Sequence, residues 1–250
     1  MRIEYEEIFQ GMIEFVVLKM TNFEDIYWFS MTEVILASKS PRRKELLRNL
    51  VDQFIVINSE IDETVVKGET PADFVERLAK EKAIKAAEKI DPGSLNDVIV
   101  IAADTIVVDE TEILGKPADE DDARRILEQI KSKTHLVLSG IAIYNPVSRE
   151  IKTKVITTEV MMRDYSEDEI QAYIDTGDPF DKAGAYAIQN ETFDPVPQMA
   201  DCYANVMGLP LCDLYVLMRE LDVGANKQVA ENCQQAIRYQ CPVYQLRNIH

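Results

Sequence analysis

The stretch Val34-Ile35-Leu36-Ala37-Ser38-Lys39-Ser40-Pro41-Arg42-Arg43-Lys44-Glu45-Leu46-Leu47 decides how the chain is read. Its first four residues form a short apolar run, the pattern of a buried strand. Ser40 suits a helix N-cap, and Pro41 suits the first helical position, where a missing N–H costs nothing. Leu46, Leu47 and Leu50 then give the helix one apolar face. Strand, tight loop and helix therefore follow within a dozen residues. The first turn carries Arg42, Arg43 and Lys44, although cations there oppose the helix dipole. An anion bound by the free N–H groups and the guanidinium groups removes that conflict, and phosphate is the natural one.

Length and charge narrow what the rest can be. A chain of 250 residues can bury a substantial core. Its formal charge of −17 argues against general binding to nucleic acid or to an anionic membrane. No apolar run has the length of a membrane span. The run Met12 to Met20 is broken by Glu14 and Lys19 and follows acidic residues, so it makes a poor signal peptide. Four cysteines without C-x-x-C spacing are expected to be independent thiols in a reducing cytoplasm, although a zinc or disulfide link from tail to body is the alternative.

Downstream, strands alternate with helices. Phe54 to Ile57 reads as a short strand, followed by an acidic loop through Asp62, Glu63 and Thr64. Thr70-Pro71-x-Asp73 opens a long helix with an apolar stripe of Phe74, Val75, Leu78, Ala79, Ala83 and Ala86. Val98 to Ala103 is apolar on both faces, as a central strand is, and Asp104-Thr105 is placed at its exit, where α/β sheets hold ligands. Leu114-Gly115-Lys116-Pro117 is a turn, and Asp119 to Lys131 is a helix. His135–Tyr144 and Arg149–Met162 are predicted to form a hairpin, with His135 an ordinary polar residue at a strand start. Ser166 and Glu169 form a capping box, and Gly177 ends that helix. Asp181 to Gln189 reads as a loop running into a strand, and Pro210 starts the last helix. Residues 1–30 are expected to be an extension ahead of a natural start at Met31, with a small amphipathic N-terminal appendage as the alternative, residues 31–223 the functional domain, and residues 224–250 a weakly structured tail.

Walker A and G-x-G-x-x-G loops are absent, and with only His135 and His250 a histidine-based zinc site or a Ser-His-Asp triad is nearly excluded. What remains is Arg42 and Arg43 at a helix start, Glu63 in a loop, Lys82 on a helix, Asp104 after a strand and Lys116 in a turn. Carboxylates can hold Mg²⁺ against phosphates while cations neutralise phosphoryl oxygens. The set suggests metal-assisted attack of water on a phosphoanhydride.

These residues fall in an ordered series of motifs: Ala37-Ser38-Lys39-Ser40-Pro41-Arg42-Arg43-Lys44-Glu45-Leu46-Leu47, Asp62-Glu63-Thr64, Arg77-Leu78-Ala79-x-x-Lys82-Ala83, Ala103-Asp104-Thr105, Gly115-Lys116-Pro117, Asp181 to Gln189, and Asn205-Val206-x-Gly208-Leu209-Pro210. In this the chain resembles the Maf (septum-formation-inhibitor-like) nucleoside triphosphate pyrophosphatases from Val34 to Leu221. The resemblance implies an α/β fold like that of the inosine triphosphatases: an elongated mixed sheet flanked by helices, with two lobes around a cleft. It implies cleavage of a nucleoside triphosphate between the α and β phosphates, with Mg²⁺ or Mn²⁺, by a homodimer. It implies Asp104 as general base, Glu63 with Asp104 at the metal, and Lys82 and Lys116 on the phosphates. It further implies Ser38, Ser40, Arg42, Arg43, Thr105, Lys182 and Gln189 as substrate-binding residues. The Asp181-Lys182-Ala183-Gly184-Ala185-Tyr186 segment is similar to that of the dTTP/UTP branch. Ala187 stands where the family often has Gly, and Asp201-Cys202-Tyr203 replaces its usual Gly-Ser-Tyr. The alternative is a non-catalytic nucleotide-binding regulator of cell division using the same pocket.

Overall fold

The computed structural model describes residues 32–91, 93 and 97–243, so the expectations for residues 1–30 and for the Met31 start lie outside the described residues. Strands β1 (Glu33–Leu36) and β2 (Ile55–Val56) pair in parallel, and β1 pairs in parallel with β3 (Val98–Asp109). Parallel neighbours need crossovers, supplied here by helix α1 (Pro41–Leu47) between β1 and β2 and helix α2 (Pro71–Ala87) between β2 and β3. Beyond β3 the sheet is antiparallel. β5 (Thr134–Tyr144) runs along most of β3, β6 (Ile151–Met161) along all of β5, and the short β4 (Glu112–Leu114) folds back on β3. The order is β2-β1-β3-β5-β6. Helices α3 (Glu120–Ile130), α4 (Glu167–Asp175), α5 (Tyr203–Val206), α6 (Leu211–Glu220) and α7 (Val229–Ile237) complete the described chain.

The core breaks at one place. On one face of β3, Val98, Val100 and Ala102 pack with Ala79, Ala83 and Ala86 of α2, whereas Ile106 and Val108 pack with Phe74, Val75 and Leu78 nearer its start. On the other face, Ile99, Ile101 and Ala103 pack with α1, α6 and α7, whereas Val107 packs with α3 and α4. The four clusters meet at Asp104 and Thr105, so the expected two lobes divide at the two polar residues of the longest strand.

Three segments differ from their sequence reading. Asp104 is not at a strand exit. The strand continues through it to Asp109, because β5 supplies hydrogen-bonding partners from Val100 to Val108 regardless of side-chain polarity. Asp181 to Gln189 forms no strand; a 3₁₀ turn over Asp178–Asp181 ends at its start and a second covers Ala183–Ala185, with Gly184 at φ 71° and Ala185 at φ 59°. Positive φ interrupts extended backbone, and an added Cβ at Gly184 would stand 2.7 Å from Val107. In the segment expected to be a weak tail, α7 buries Val229, Ala230 and Cys233 against the core. The four cysteines form no disulfide with one another, yet they all line one small pocket between α5, α6 and α7.

Candidate active site

The break in the core coincides with a break in the sheet. β1 accompanies β3 only from Val98 to Ile101, and β4 joins the same edge only at Val107. Between them the edge of β3 is uncovered, and a cleft of about 530 Å³ opens there. Both faces of the strand reach it. Asp104 points toward α2, and Thr105 toward α1 and the turn after α5.

On the α2 side, Lys82 Nζ lies 2.5 Å from Asp104 Oδ1 and 2.7 Å from Glu63 Oε1. α2 is started by a complete capping box, Thr70 with Asp73, with Pro71 in the first turn. Its midpoint then crosses Asp104, which is 7% exposed. Asp104 is paired across β5 with Gly140. A Cβ at Gly140 would stand 2.2 Å from the Val75 carbonyl oxygen, so the missing side chain lets the α2 backbone lie directly on the sheet beside Asp104. Lys116 enters the same cleft from the loop after β4.

On the opposite face, among the described residues, Arg43 is held by neutral groups. Its Nε donates to the Gly208 carbonyl at 2.8 Å, Nη2 to Thr105 Oγ1 at 3.0 Å and Nη1 to Ser38 Oγ at 3.5 Å. Burial pulls its pKa down from the ordinary value, with the Asp104 charge opposing that shift. No carboxylate lies within salt-bridge range of it among the described residues. A partly desolvated cation without a counter-ion is costly unless an anion arrives, and the cleft is where one can. Arg42 and Ser40 line the same wall, and Ser40 also caps α1 by accepting from the Arg43 amide.

Most of the residues named from the sequence converge here. Glu63, Lys82, Asp104, Lys116, Ser40, Arg42, Arg43, Thr105, Lys182 and Gln189 all line the cleft. Ser38 does not; it is buried behind Arg43 and also accepts from the Ser40 amide at 3.2 Å. Lys182 lines the cleft with its ammonium occupied, donating to the Asp178 carbonyl (2.7 Å), Asp178 Oδ1 (2.8 Å) and Asp181 Oδ1 (2.5 Å). His135 is no ordinary strand-start residue. It is 2% exposed, with Nε2 2.8 Å from the hydroxyl of cleft-lining Tyr186, and burial pushes its pKa down to about 4.

Sequence reasoning did not single out Ser139, whose Oγ lies 2.8 Å from Thr105 Oγ1 and donates to the Asn205 carbonyl, and it named Asn205 in a motif without giving its buried amide a role. Asn205 Nδ2 reaches the Val137 and Ile156 carbonyls and Thr158 Oγ1. These contacts pin the α5 turn to the sheet, and Gly208, at φ 107°, then presents its carbonyl to Arg43. No local pattern announces such cross-strand partners.

A divalent cation fits this donor set. Among the described residues no three His, Cys, Asp or Glu side chains are placed to hold a metal. Mg²⁺ does not need three, because it is commonly held by one or two carboxylates together with substrate phosphates and water. Glu63 and Asp104, both drawn to one ammonium, supply two.

The fold is α/β, its cleft opens at a gap in a mixed sheet, and Glu63 and Asp104 stand in that cleft with Arg42, Arg43, Lys82 and Lys116, a setting that suits a polyanion. The chain belongs to the Maf-like protein family, whose model matches residues 33–221. Among its relatives, a dTTP/UTP pyrophosphatase of Geotalea uraniireducens is 43% identical over 190 residues, covering 76% of this chain and 95% of the relative. A dTTP/UTP pyrophosphatase of Hahella chejuensis is 42% identical over 190 residues, 76% and 92% of the two chains. One of Pelotomaculum thermopropionicum is 40% identical, 76% and 97%.

Proposed function

We propose that this protein hydrolyses nucleoside triphosphates, dTTP and UTP foremost, between the α and β phosphates. The products are the nucleoside monophosphate and pyrophosphate. The observation that carries the reading is the pair of opposed walls: Lys82 between Asp104 and Glu63 on one side, and on the other Arg43, bound to neutral acceptors among the described residues. The triphosphate supplies the missing counter-charge to Arg43, with Arg42, Ser40 and Lys116 around it. Asp104 takes the proton of a water molecule as its oxygen bonds to the α-phosphorus. The bond from that phosphorus to the αβ-bridging oxygen breaks, and the electron pair leaves on pyrophosphate. Lys82 keeps Asp104 aimed through its 2.5 Å contact, and Lys116 neutralises charge gathering on the leaving group. Mg²⁺ or Mn²⁺, held by Glu63 and Asp104, supplies further charge neutralisation when bound. Lys182 supports the site indirectly, fixing the 178–182 turn through its three acceptors; Thr105 and Gln189 face the substrate.

Residues 31–223 form the catalytic domain in this reading, and α7 is an addition to it. Four free thiols fit a reducing compartment such as the cytoplasm. Incubation with each triphosphate and Mg²⁺, followed by separate assays of pyrophosphate and orthophosphate, tests the reaction. Pyrophosphate release, greatest with dTTP and UTP, is expected. Orthophosphate alone, or nucleotide binding without turnover, overturns it.

A further inference from the structure

Glu63 reaches Lys82 from a segment that forms neither helix nor strand, and its own side chain is exposed. Its one ion pair among the described residues is with Lys82. Its position is set through the backbone on either side. Asp62 Oδ1 accepts from the Thr64 amide at 2.9 Å and from Thr64 Oγ1 at 2.6 Å, closing a turn around Glu63. Six residues further on, Glu69 Oε2 accepts from the Val66 amide at 3.1 Å.

One side chain ties these two points to the scaffold. Arg77, in the second turn of α2, donates from Nη2 to the Thr64 carbonyl at 3.0 Å and to Glu69 Oε2 at 3.0 Å, while its Nε donates to Glu69 Oε1 at 2.7 Å. The guanidinium is itself steadied by Glu81, 3.4 Å away, and by the Phe74 ring, 5.4 Å from its centre. Only a planar, forked donor can hold a carboxylate by two atoms and a carbonyl at once. Lys82 projects from the same helix. The group that fixes the loop and the group that meets Glu63 therefore share one rigid frame.

We propose that Arg77 is a positioning residue for Glu63: it holds the 62–69 loop against α2 so that the Glu63 carboxylate arrives at Lys82 and Asp104. The proposal rests on the reading of the cleft given above. Residues that orient groups at a metal site are commonly worth 10–100-fold in metal affinity or activity. Arg77→Met, which keeps the stem and removes the fork, is expected to lower kcat/KM for dTTP by about 10–100-fold and to raise the Mg²⁺ concentration needed for half-maximal rate. Arg77→Lys is expected to recover only part of the loss, since one ammonium cannot span Thr64 and Glu69.

The deciding measurement is a double-mutant cycle. In a Glu63→Gln background Arg77→Met should cost less than about twofold, because the group it positions is gone. An equal loss in both backgrounds overturns the proposal. A second readout needs no turnover: amide hydrogen exchange over residues 61–69 should quicken in Arg77→Met while α2 and β3 stay protected. Unchanged exchange in the loop overturns the proposal as well. Absence of pyrophosphate release by the unsubstituted protein overturns the proposed hydrolysis instead, and Arg77 is then judged by the exchange alone.

Discussion

Asp104 Oδ1 meets the Lys82 ammonium at 2.5 Å on a strand whose neighbours are apolar on both faces. Asp104→Asn keeps the size and the hydrogen-bonding reach but cannot take a proton. General-base catalysis contributes roughly 10²–10⁴-fold, so kcat should fall by at least about 100-fold, while dTTP affinity measured by calorimetry stays within a few-fold. A loss of affinity as large as the loss of rate would move Asp104 from proton transfer to binding. His135 makes a separate prediction about stability. Burial holds its folded pKa near 4, against an ordinary 6.5, so between those values the unfolded chain binds more protons. Stability is then greatest above pH 6.5 and falls as pH drops toward 4, by about 3 kcal/mol at most. Urea midpoints at pH 7 and pH 5 should differ less for His135→Gln than for the natural sequence; equal differences would remove His135 from the acid sensitivity. Asp104, Arg42 and Arg43 were legible in the sequence because an acid amid an apolar run, or arginines at a helix start, conflict with their local setting; Glu63, Lys82 and Lys116 carry no such local conflict and took their roles from the ordered series of motifs. Ser139 and Asn205 conflict with nothing locally, and only the sheet register brings them to Thr105.

At the scale of elements, legibility followed local chemistry. Ser40, Thr70, Asp119 and Ser166 were readable as helix starts, and each accepts from the amide three residues on. The strand periodicity placed β5 and β6 to within a residue or two. β4 and α5, at three and four residues, are too short to show a period. α7 stayed hidden because its helix has no side-chain cap to mark its start. The docking of α2 was also invisible, since it depends on what Gly140 lacks. Gly140→Ala would place a methyl group 2.2 Å from a backbone oxygen and 2.6 Å from its carbon, where no rotamer can yield. Overpacking of this kind costs about 1–3 kcal/mol, and α2 must shift with Lys82 on it. Thermal melts of Gly140→Ala should show that loss, together with a lower kcat. Gly115→Ala, with no heavy atom within 4 Å of the new methyl, should stay within about 0.5 kcal/mol of the parent. Equal melting temperatures for Gly140→Ala and the parent would mean that α2 does not rest on the sheet at this point.

For the whole molecule, the family match ends at residue 221 while the packed chain continues. Val229 and Cys233 join the cluster that holds Leu46, Leu214 and Met218. The Asn226 amide donates to the Leu50 carbonyl at 2.8 Å, and Asn232 Nδ2 donates to the Asn49 carbonyl at 3.4 Å, so the extension is fastened to the segment after α1. α1 in turn carries Arg42 and Arg43, which makes the extension a brace behind one wall of the cleft. Removing residues 224–250 would expose Cys202 and Cys212 and strip the apolar cover contributed by Val229 and its neighbours. A buried Val side chain is worth about 1.5–3 kcal/mol, and at this chain length each kcal/mol is about 2–4 °C in Tm. The truncated protein should therefore melt several degrees lower. Its thiols give an independent reading of the same event. In the full chain Cys202, Cys212 and Cys233 are buried and Cys241 is partly exposed, and burial raises the pKa of both Cys212 and Cys233. A thiol reagent should thus titrate Cys241 quickly and the other three only on unfolding. After truncation Cys202 and Cys212 remain, and both should react under native conditions. Two thiols still protected in a truncated protein of unchanged Tm would show that α7 covers nothing the core depends on.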